Sequence, residues 1–293
     1  MQRLINQPLA TSFLAGTLLF CSSLTLADDD FFGTGFNKSF NFRLSGFWAK
    51  TSTKIRVDSN DGVIGEEISF EDDLNLSERK TLPLFDITYR FNPRHMLDFS
   101  YVDLERTASS TWTKEGTTTD DIRWSVGTEI RGGFESEVYR LAYGYSFIND
   151  GKKELGVLLG LHTTRIGITI EGEGELVIVD GEGNEVVVDD QASRTYDEGF
   201  TIPLPMLGLT GSYAFTPKLY MRGWVQFFTL DYDEYDGSLL NASGMLAYDL
   251  TNNFGIGAGY AYYSYDLDVE RDNLKGSFTY DFQGPTAFLY ASF

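Results

Sequence analysis

The sequence predicts an all-β chain: a transmembrane, antiparallel up-and-down β-barrel of ten strands, with eight or twelve left open, long acidic loops at one end and short turns at the other. Three observations carry this. Apolar residues recur with a period of two, as a sheet with one apolar face requires. The connections alternate strictly between short, tight ones and long, acidic ones. Finally, Gly276 to Phe293 alternates apolar residues up to the last position and ends on an aromatic residue, whereas a free terminus is normally a solvated tail.

The chain opens on Met1-Gln-Arg3, an apolar run from Leu9 to Leu26 diluted by Ser, Thr and Gly, and the small-residue stretch Thr25-Leu26-Ala27 ahead of Asp28. That is the pattern of a cleavable secretory signal, residues 1–27, rather than of a membrane helix. Residues 28–39 follow as a short N-terminal segment, and 40–293 form a single barrel domain. The one cysteine, Cys21, lies in the signal, so the mature chain has no thiol and must be held by a core or a membrane. No later segment has eighteen consecutive apolar residues, which excludes a spanning helix. Aromatic content of 15% and 30 glycines suit strands with aromatic girdles and small inward positions. The formal charge of −20 becomes −21 without Arg3, and it excludes nucleic acid or an anionic surface as a simple electrostatic partner.

The predicted strands cover 40–56, 81–91, 95–109, 132–147, 154–170, 200–215, 218–231, 238–249, 254–267 and 276–293. In the second, Phe85, Ile87, Tyr89 and Phe91 share one face against Asp86, Thr88 and Arg90 on the other. The fourth sets Tyr139, Leu141, Tyr143, Tyr145 and Phe147 against Arg140, Ala142, Gly144 and Ser146. The fifth presents Leu155, Val157, Leu159 and Leu161 to lipid, about enough to cross a thin apolar band. In the third, Leu97, Phe99 and Tyr101 share a face whose register continues to Asp103 and Glu105, which requires either a bulge near Val102 or a strand already outside the membrane. Trp224, Phe228, Tyr263, Phe288 and Tyr290 point inward, and Leu289, Ala291 and Phe293 outward.

The short connections, Phe91 to His95, Asn149 to Lys152, Phe215 to Lys218 and Leu250 to Asn253, are rich in turn formers. The long ones fall near 58–79, 111–130, 171–198, 232–237 and 268–275. Loop one runs through Glu66-Glu67 to Glu71-Asp72-Asp73 with almost no basic balance. Loop three carries its own hairpin, Leu176 to Val179 and Val186 to Val188 around Asp180-Gly-Glu-Gly-Asn184, so its flanking strands extend beyond the bilayer. Loop two places Trp112 and Trp124 across a further hairpin. Thr81-Leu-Pro-Leu84 and Thr201-Ile-Pro-Leu204 both open descending strands, and proline, lacking a ladder donor, marks irregular pairing at the outer rim.

The signal, the hairpin alternation, the aromatic-rich strands and the terminal Phe293 together resemble the small outer-membrane β-barrels of Gram-negative bacteria, over the whole mature chain. The resemblance implies an outer-membrane location, short turns on the periplasmic side, a last strand that closes against the first, and Phe293 as part of the signal read by the barrel assembly machinery. It implies lipid and lipopolysaccharide as surroundings; the oligomeric state is left open, with a monomer favoured.

With the alternation set, eight ionisable residues face the lumen: Arg43, Arg90, Arg140 and Arg222 against Asp86, Asp98, Glu154 and Asp249. The signs balance, and most lie toward the periplasmic ends of their strands, so they meet in one layer where each buried charge needs a partner. The plainer reading is a salt-bridged filling; the functional one is a gate whose pairs rearrange to pass water or small ions.

An enzyme needs a nucleophile, a base and an orienting group, and the chain has two histidines. His95 sits in a periplasmic turn. His162, with Thr164 two residues on, faintly resembles the His-x-Ser of outer-membrane lipid A deacylases, but Thr replaces Ser, no acidic partner is evident, and the phase points His162 into the lumen. Outer-membrane proteases of the omptin kind are also ten-stranded, yet their His-Asp and Asp-Asp pairs lie near the outer rim, where this chain has no histidine. The expectation is a non-enzymatic barrel with a largely plugged lumen and a structural or surface-interaction role, with a narrow passive channel and a lipid-modifying hydrolase as the alternatives. No cofactor is expected. Asp231-Tyr-Asp233-Glu-Tyr-Asp236 begins like a calcium loop but puts Tyr fifth and Gly late, and Asp180 and Glu182 belong to a stretch lacking the twelfth-position Glu. Loose Ca²⁺ or Mg²⁺ binding at Asp180, Glu182, Asp231, Asp233 and Asp236, bridging to lipopolysaccharide phosphates, is the hypothesis these loops motivate.

Overall fold

A computed structural model of the chain describes residues 35–59, 67–111, 118–119, 122–124, 127–179, 185–232, 235–271 and 274–293. The signal assigned to 1–27 lies outside the described residues, as do Trp112, Asp180, Glu182 and Asp233. Ten long strands form the wall: β1 (Phe40–Ser59), β2 (Arg79–Asn92), β3 (His95–Thr111), β4 (Glu129–Asn149), β5 (Lys153–Val179), β6 (Glu185–Ala214), β7 (Leu219–Tyr232), β8 (Tyr235–Asp249), β9 (Phe254–Arg271) and β10 (Leu274–Ser292). Each pairs antiparallel with its neighbours in sequence, and β1 pairs with β10 from Asn41↔Ser292 to Ser59↔Leu274, which closes the barrel. Closure pairs the β1 and β10 edges with each other, so that neither needs water at membrane depth.

The period of two sorts every strand. On β4 the even positions are buried, among them Ile130, Phe134, Val138 and Arg140, while Tyr139, Leu141 and Phe147 are exposed to lipid. On β5, Leu155, Val157, Leu159 and Leu161 form the matching outward row. Toward the periplasm the outward band ends in aromatics, with Phe40 stacked on Tyr89 at 4.5 Å and His95 against Tyr145 at 5.2 Å. Toward the outside it ends at Tyr101 and Tyr139, whose rings lie 4.9 Å apart.

The next outward pair above those tyrosines is Asp103↔Glu137, with Glu105↔Glu135 beyond it. The β3–β4 register runs unbroken from His95↔Tyr145 to Thr111↔Glu129. The bulge considered near Val102 is therefore absent: the strand has already left the apolar band, and water solvates the two carboxylates.

The β5–β6 hairpin pairs from Lys153↔Tyr213 to Val179↔Glu185, far past the membrane. The opposite edge of β6 behaves differently, since its pairing with β7 runs only from Tyr220↔Ala214 to Phe227↔Leu207. Chain chemistry explains the stop. Ala214 donates its N–H to Lys152 on the β5 side, so by alternation the odd residues of β6 direct theirs at β7. Pro205 and Pro203 are the next two odd positions and have no N–H to offer. The seam opens where the prolines begin.

Loop one departs from expectation. Rather than projecting wholly outward, its second half folds into the barrel mouth: Ile68–Ser69 adds a short pairing to β1 at Ile55 and Lys54, and Phe70, Leu74 and Leu76 are buried. The acidic run Glu71-Asp72-Asp73 hides this, because three apolar residues spaced among carboxylates show no period.

Candidate functional site

The lumen is filled in successive layers from the periplasm outward. The floor is the short 3-10 turn Gly35–Asn37, which lies across the periplasmic opening. Asn37 Nδ2 donates to the Gly151 carbonyl at 3.0 Å, and the Arg90 N–H donates to the Ser39 carbonyl at 2.7 Å. Gly35 is buried so tightly that a Cβ there would stand 2.8 Å from the Tyr220 hydroxyl and 2.9 Å from the Tyr290 ring. The Tyr290 hydroxyl donates to Asp249 beside it.

Above the floor lies a first ion pair, Arg90 Nη2 to Glu154 at 2.7 Å, with side-chain exposures of 4% and 1%. The remaining acceptor capacity of Glu154 is taken by the hydroxyls of Ser146 and Ser212. A carboxylate this deep is tolerable because all its partners are supplied at once.

A second charged layer holds five residues. Arg43 reaches Asp86 through Nη2 at 2.9 Å and Nε at 3.0 Å. Arg140 bonds Asp98, donates Nε to Ser100 at 2.9 Å and Nη1 to Gln226 Oε1 at 3.3 Å, and lies 4.0 Å from Asp86. Arg222 lies 3.9 Å from Asp98, which also accepts from Thr88 at 2.8 Å. The Trp224 ring is flanked by two guanidiniums, Arg43 at 5.5 Å and Arg140 at 5.3 Å from its centroid.

Outward of this layer is a cavity of about 70 Å³, lined by Arg43, Asp86, Arg140, His162 and Trp224 together with neutral polar, aliphatic and aromatic side chains. Its roof is a stack of rings, with Tyr263 on Phe282 at 4.4 Å and Phe282 near Phe47 at 5.9 Å. His162 is 1% exposed, stacks on Tyr263 and places Nε2 3.0 Å from its hydroxyl.

In the outer mouth lies the second half of loop one, a plug of buried apolar side chains. Phe70 packs edge-on against Phe134 at 5.6 Å, and Leu74 and Leu76 fit over Gly132, where a Cβ would come within 3.0 Å of Leu74. Arg106 on β3 anchors it: the guanidinium pairs with Glu71, donates to Thr51 at 2.8 Å and Thr53 at 2.6 Å, and lies over the Phe134 ring at 5.0 Å. Glu71 Oε2 in turn accepts the Thr53 N–H at 2.8 Å.

All eight sequence-assigned charges lie on inward positions, but in separate layers. Arg90 and Glu154 form one pair, the other three arginines share two aspartates, and Asp249 stands apart with Tyr290. The single balanced layer is thus corrected: strand stagger in a tilted barrel sets equal sequence depths at different heights. The sequence reasoning missed Arg106 and its partner Glu71. Period two continued along β3, through Asp98, Ser100, Val102 and Leu104, leads to Arg106; nothing local in loop one points to Glu71. Of the acidic loop residues, Asp236 is exposed and pairs in register with Asp231 at the β7–β8 end. Among the described residues no group of three or more His, Cys, Asp and Glu side chains is arranged to hold a metal ion.

No family model and no curated protein matches the chain. Solved structures do. The Escherichia coli outer membrane protease OmpT superposes with a TM-score of 0.58 at 16% identity, over 87% of this chain and 96% of that one. The Pseudomonas putida toluene transporter TodX (TM-score 0.34, 10% identity, 87% and 90% covered) and the Pseudomonas aeruginosa outer membrane protein OprG (0.34, 10%, 86% and 97%) are matched at the level of general barrel form. At these identities likeness speaks for fold alone. With its closed ten-strand wall, outward apolar band and aromatic girdles, the chain has the fold of bacterial outer-membrane β-barrels.

Proposed function

We propose that this chain is a non-enzymatic outer-membrane barrel whose lumen is closed at rest, with a structural role in the envelope and acidic external loops available to surface partners. The observation that carries the reading is the succession of closures along one axis: the Gly35–Asn37 turn, two charged layers, a roof of aromatic rings, and a plug whose Phe70 and Leu74 are 0% exposed. Each narrows the lumen, and their succession along one axis supports a closed resting state. The two histidines support a non-enzymatic role. His95 lies at the periplasmic end against Tyr143, and His162 is sealed in the lumen with a tyrosine rather than a carboxylate at its ring nitrogen. Neither lies at the outer rim, and neither has a carboxylate at a ring nitrogen among the described residues.

The test is planar-bilayer recording on the purified full chain. Silence is expected. A steady wild-type conductance that changes in Arg140→Ala would overturn the closed reading in favour of a narrow passive channel. That second reading draws on one feature, namely that the outer closure is a separable chain segment rather than wall. Loose bridging of the acidic loops to lipopolysaccharide through Ca²⁺ or Mg²⁺ belongs to the same proposal; thermal unfolding in EDTA against added calcium tests it, and an unchanged midpoint removes it.

A further inference from the structure

The middle of the lumen leaves several buried hydrogen-bond donors unpaired. Around Arg140, the Trp224 Nε1, Gln226 Nε2 and Arg222 Nε groups are buried donors with no acceptor among the described protein atoms, and His162 Nδ1, which carries the ring proton when Nε2 accepts from Tyr263, is likewise unpartnered. Other guanidinium donors are turned toward sulfur: Arg43 Nη1 faces Met245 Sδ at 2.8 Å, and Arg222 Nη2 faces Met96 Sδ at 3.4 Å. A thioether is a weak acceptor, and guanidiniums meet one only where oxygen is scarce.

Charge points the same way. Once Arg90 and Glu154 are set aside as a pair, the layer below the cavity holds Arg43, Arg140 and Arg222 against Asp86 and Asp98. Asp249, the eighth charge, lies at the floor beside Gly35 and Tyr290 and makes no ion pair with an arginine among the described residues. The layer by itself thus holds one more arginine than carboxylate. Water can satisfy a donor, but it cannot neutralise a buried cation.

We propose that the chamber between the charged layer and the aromatic roof binds a short-chain monocarboxylate. The carboxylate would take Arg140, Trp224 and His162, and its short apolar body would lie against Phe47, Val138 and Phe282; Asp86, which also lines the chamber, is already held by Arg43. The size follows from the room. A cavity of roughly 150 Å³ holds benzene, so about 70 Å³ suits an acid of propionate size. The inference stands apart from the closed-barrel reading, because binding needs only slow exchange past one closure and no through-path.

Isothermal titration of the full chain in detergent with propionate, against 1-propanol and propylammonium, tests it. Saturable binding of propionate alone is expected, weakened about tenfold or more in His162→Phe, as loss of one hydrogen bond to a charged group implies. Trp224→Phe, which removes Nε1 and keeps the ring, should weaken it similarly and serves if His162→Phe fails to fold. The proposal is overturned by no saturable binding, meaning a chamber holding water only. It is equally overturned by equal binding of 1-propanol, meaning apolar space only, or by undiminished propionate binding in both variants, meaning a site elsewhere.

Discussion

Docking of the loop-one plug is the feature on which access to the lumen from outside depends, and its energetics can be worked from its contacts. Phe70 is fully buried against Phe134, and its truncation to alanine costs about 3 kcal/mol or more. Glu71→Gln removes the charge from the bond to Arg106 but keeps an acceptor for the Thr53 N–H, a loss of about 1.5–3 kcal/mol. Apolar anchoring is therefore the larger share, since Leu74 and Leu76 add further buried area. Cys21 is the chain's one cysteine, so in protein lacking residues 1–27 Ser136→Cys, a 1%-exposed inward position on β4 one step below Phe134, is a clean reporter for a small thiol reagent added from outside. With plug release as the opening step, Phe70→Ala raises the labelling rate roughly a hundredfold, at tenfold per 1.4 kcal/mol, and Glu71→Gln about tenfold. Folding of each variant is checked by heat-modifiable mobility on gels. Equal labelling with and without Phe70→Ala, in barrels that remain folded, would refute the reasoning and show that reagent reaches Ser136 by another route.

Three further outcomes follow from the same geometry. Removing one partner of the Arg90–Glu154 pair, as in Glu154→Ala, destabilises the barrel by about 3–5 kcal/mol in urea unfolding, whereas the double change Arg90→Met with Glu154→Leu costs far less, because it leaves no unpaired buried charge. On the outer surface, Leu289→Arg costs about 2–4 kcal/mol in lipid vesicles, since Leu289 is 64% exposed within the apolar band, while Asp103→Arg above the tyrosine girdle is close to neutral. In the β4–β5 turn, the backbone N–H groups of Lys153 and Lys152 hold the Asp150 carboxyl below its ordinary value. A depressed carboxyl contributes stability above its unfolded pKa and loses it as pH falls through the folded one. The unfolding midpoint of the wild type should therefore drop slightly more between pH 7 and pH 3 than that of Asp150→Asn, and parallel curves would remove the assignment.

Much of this architecture is local in origin. A sheet with lipid on one side and a filled lumen on the other forces alternation residue by residue, so strand number, inward and outward faces and the inward phase of His162 can all be read from the chain. The prolines at 203 and 205 mark a break in pairing for the same local reason, a missing donor. The charges at Arg43, Asp86, Arg90, Asp98, Arg140, Glu154, Arg222 and Asp249 are likewise assignable to the lumen by parity alone.

Parity carries no information about height. Which arginine meets which carboxylate depends on the stagger between tilted strands, and that is set by the closed hydrogen-bond register around the whole barrel. Stagger separates Arg90 with Glu154 from the Arg43, Arg140 and Arg222 group, and it leaves Asp249 with Tyr290. The plug is the other product of tertiary structure alone. Glu71 is acidic among acidic neighbours and reads as solvated; only the arrival of Arg106 from β3, with the rings of Phe70 and Phe134 beneath it, provides a partner that offsets the cost of burying the carboxylate. Sequence by itself determined a ten-stranded wall and the side each residue faces, because those follow from the backbone's period. The seating of loop one in the barrel mouth was decided by contacts between distant residues, as from Glu71 to Arg106, 35 positions apart in the chain, which no local pattern encodes.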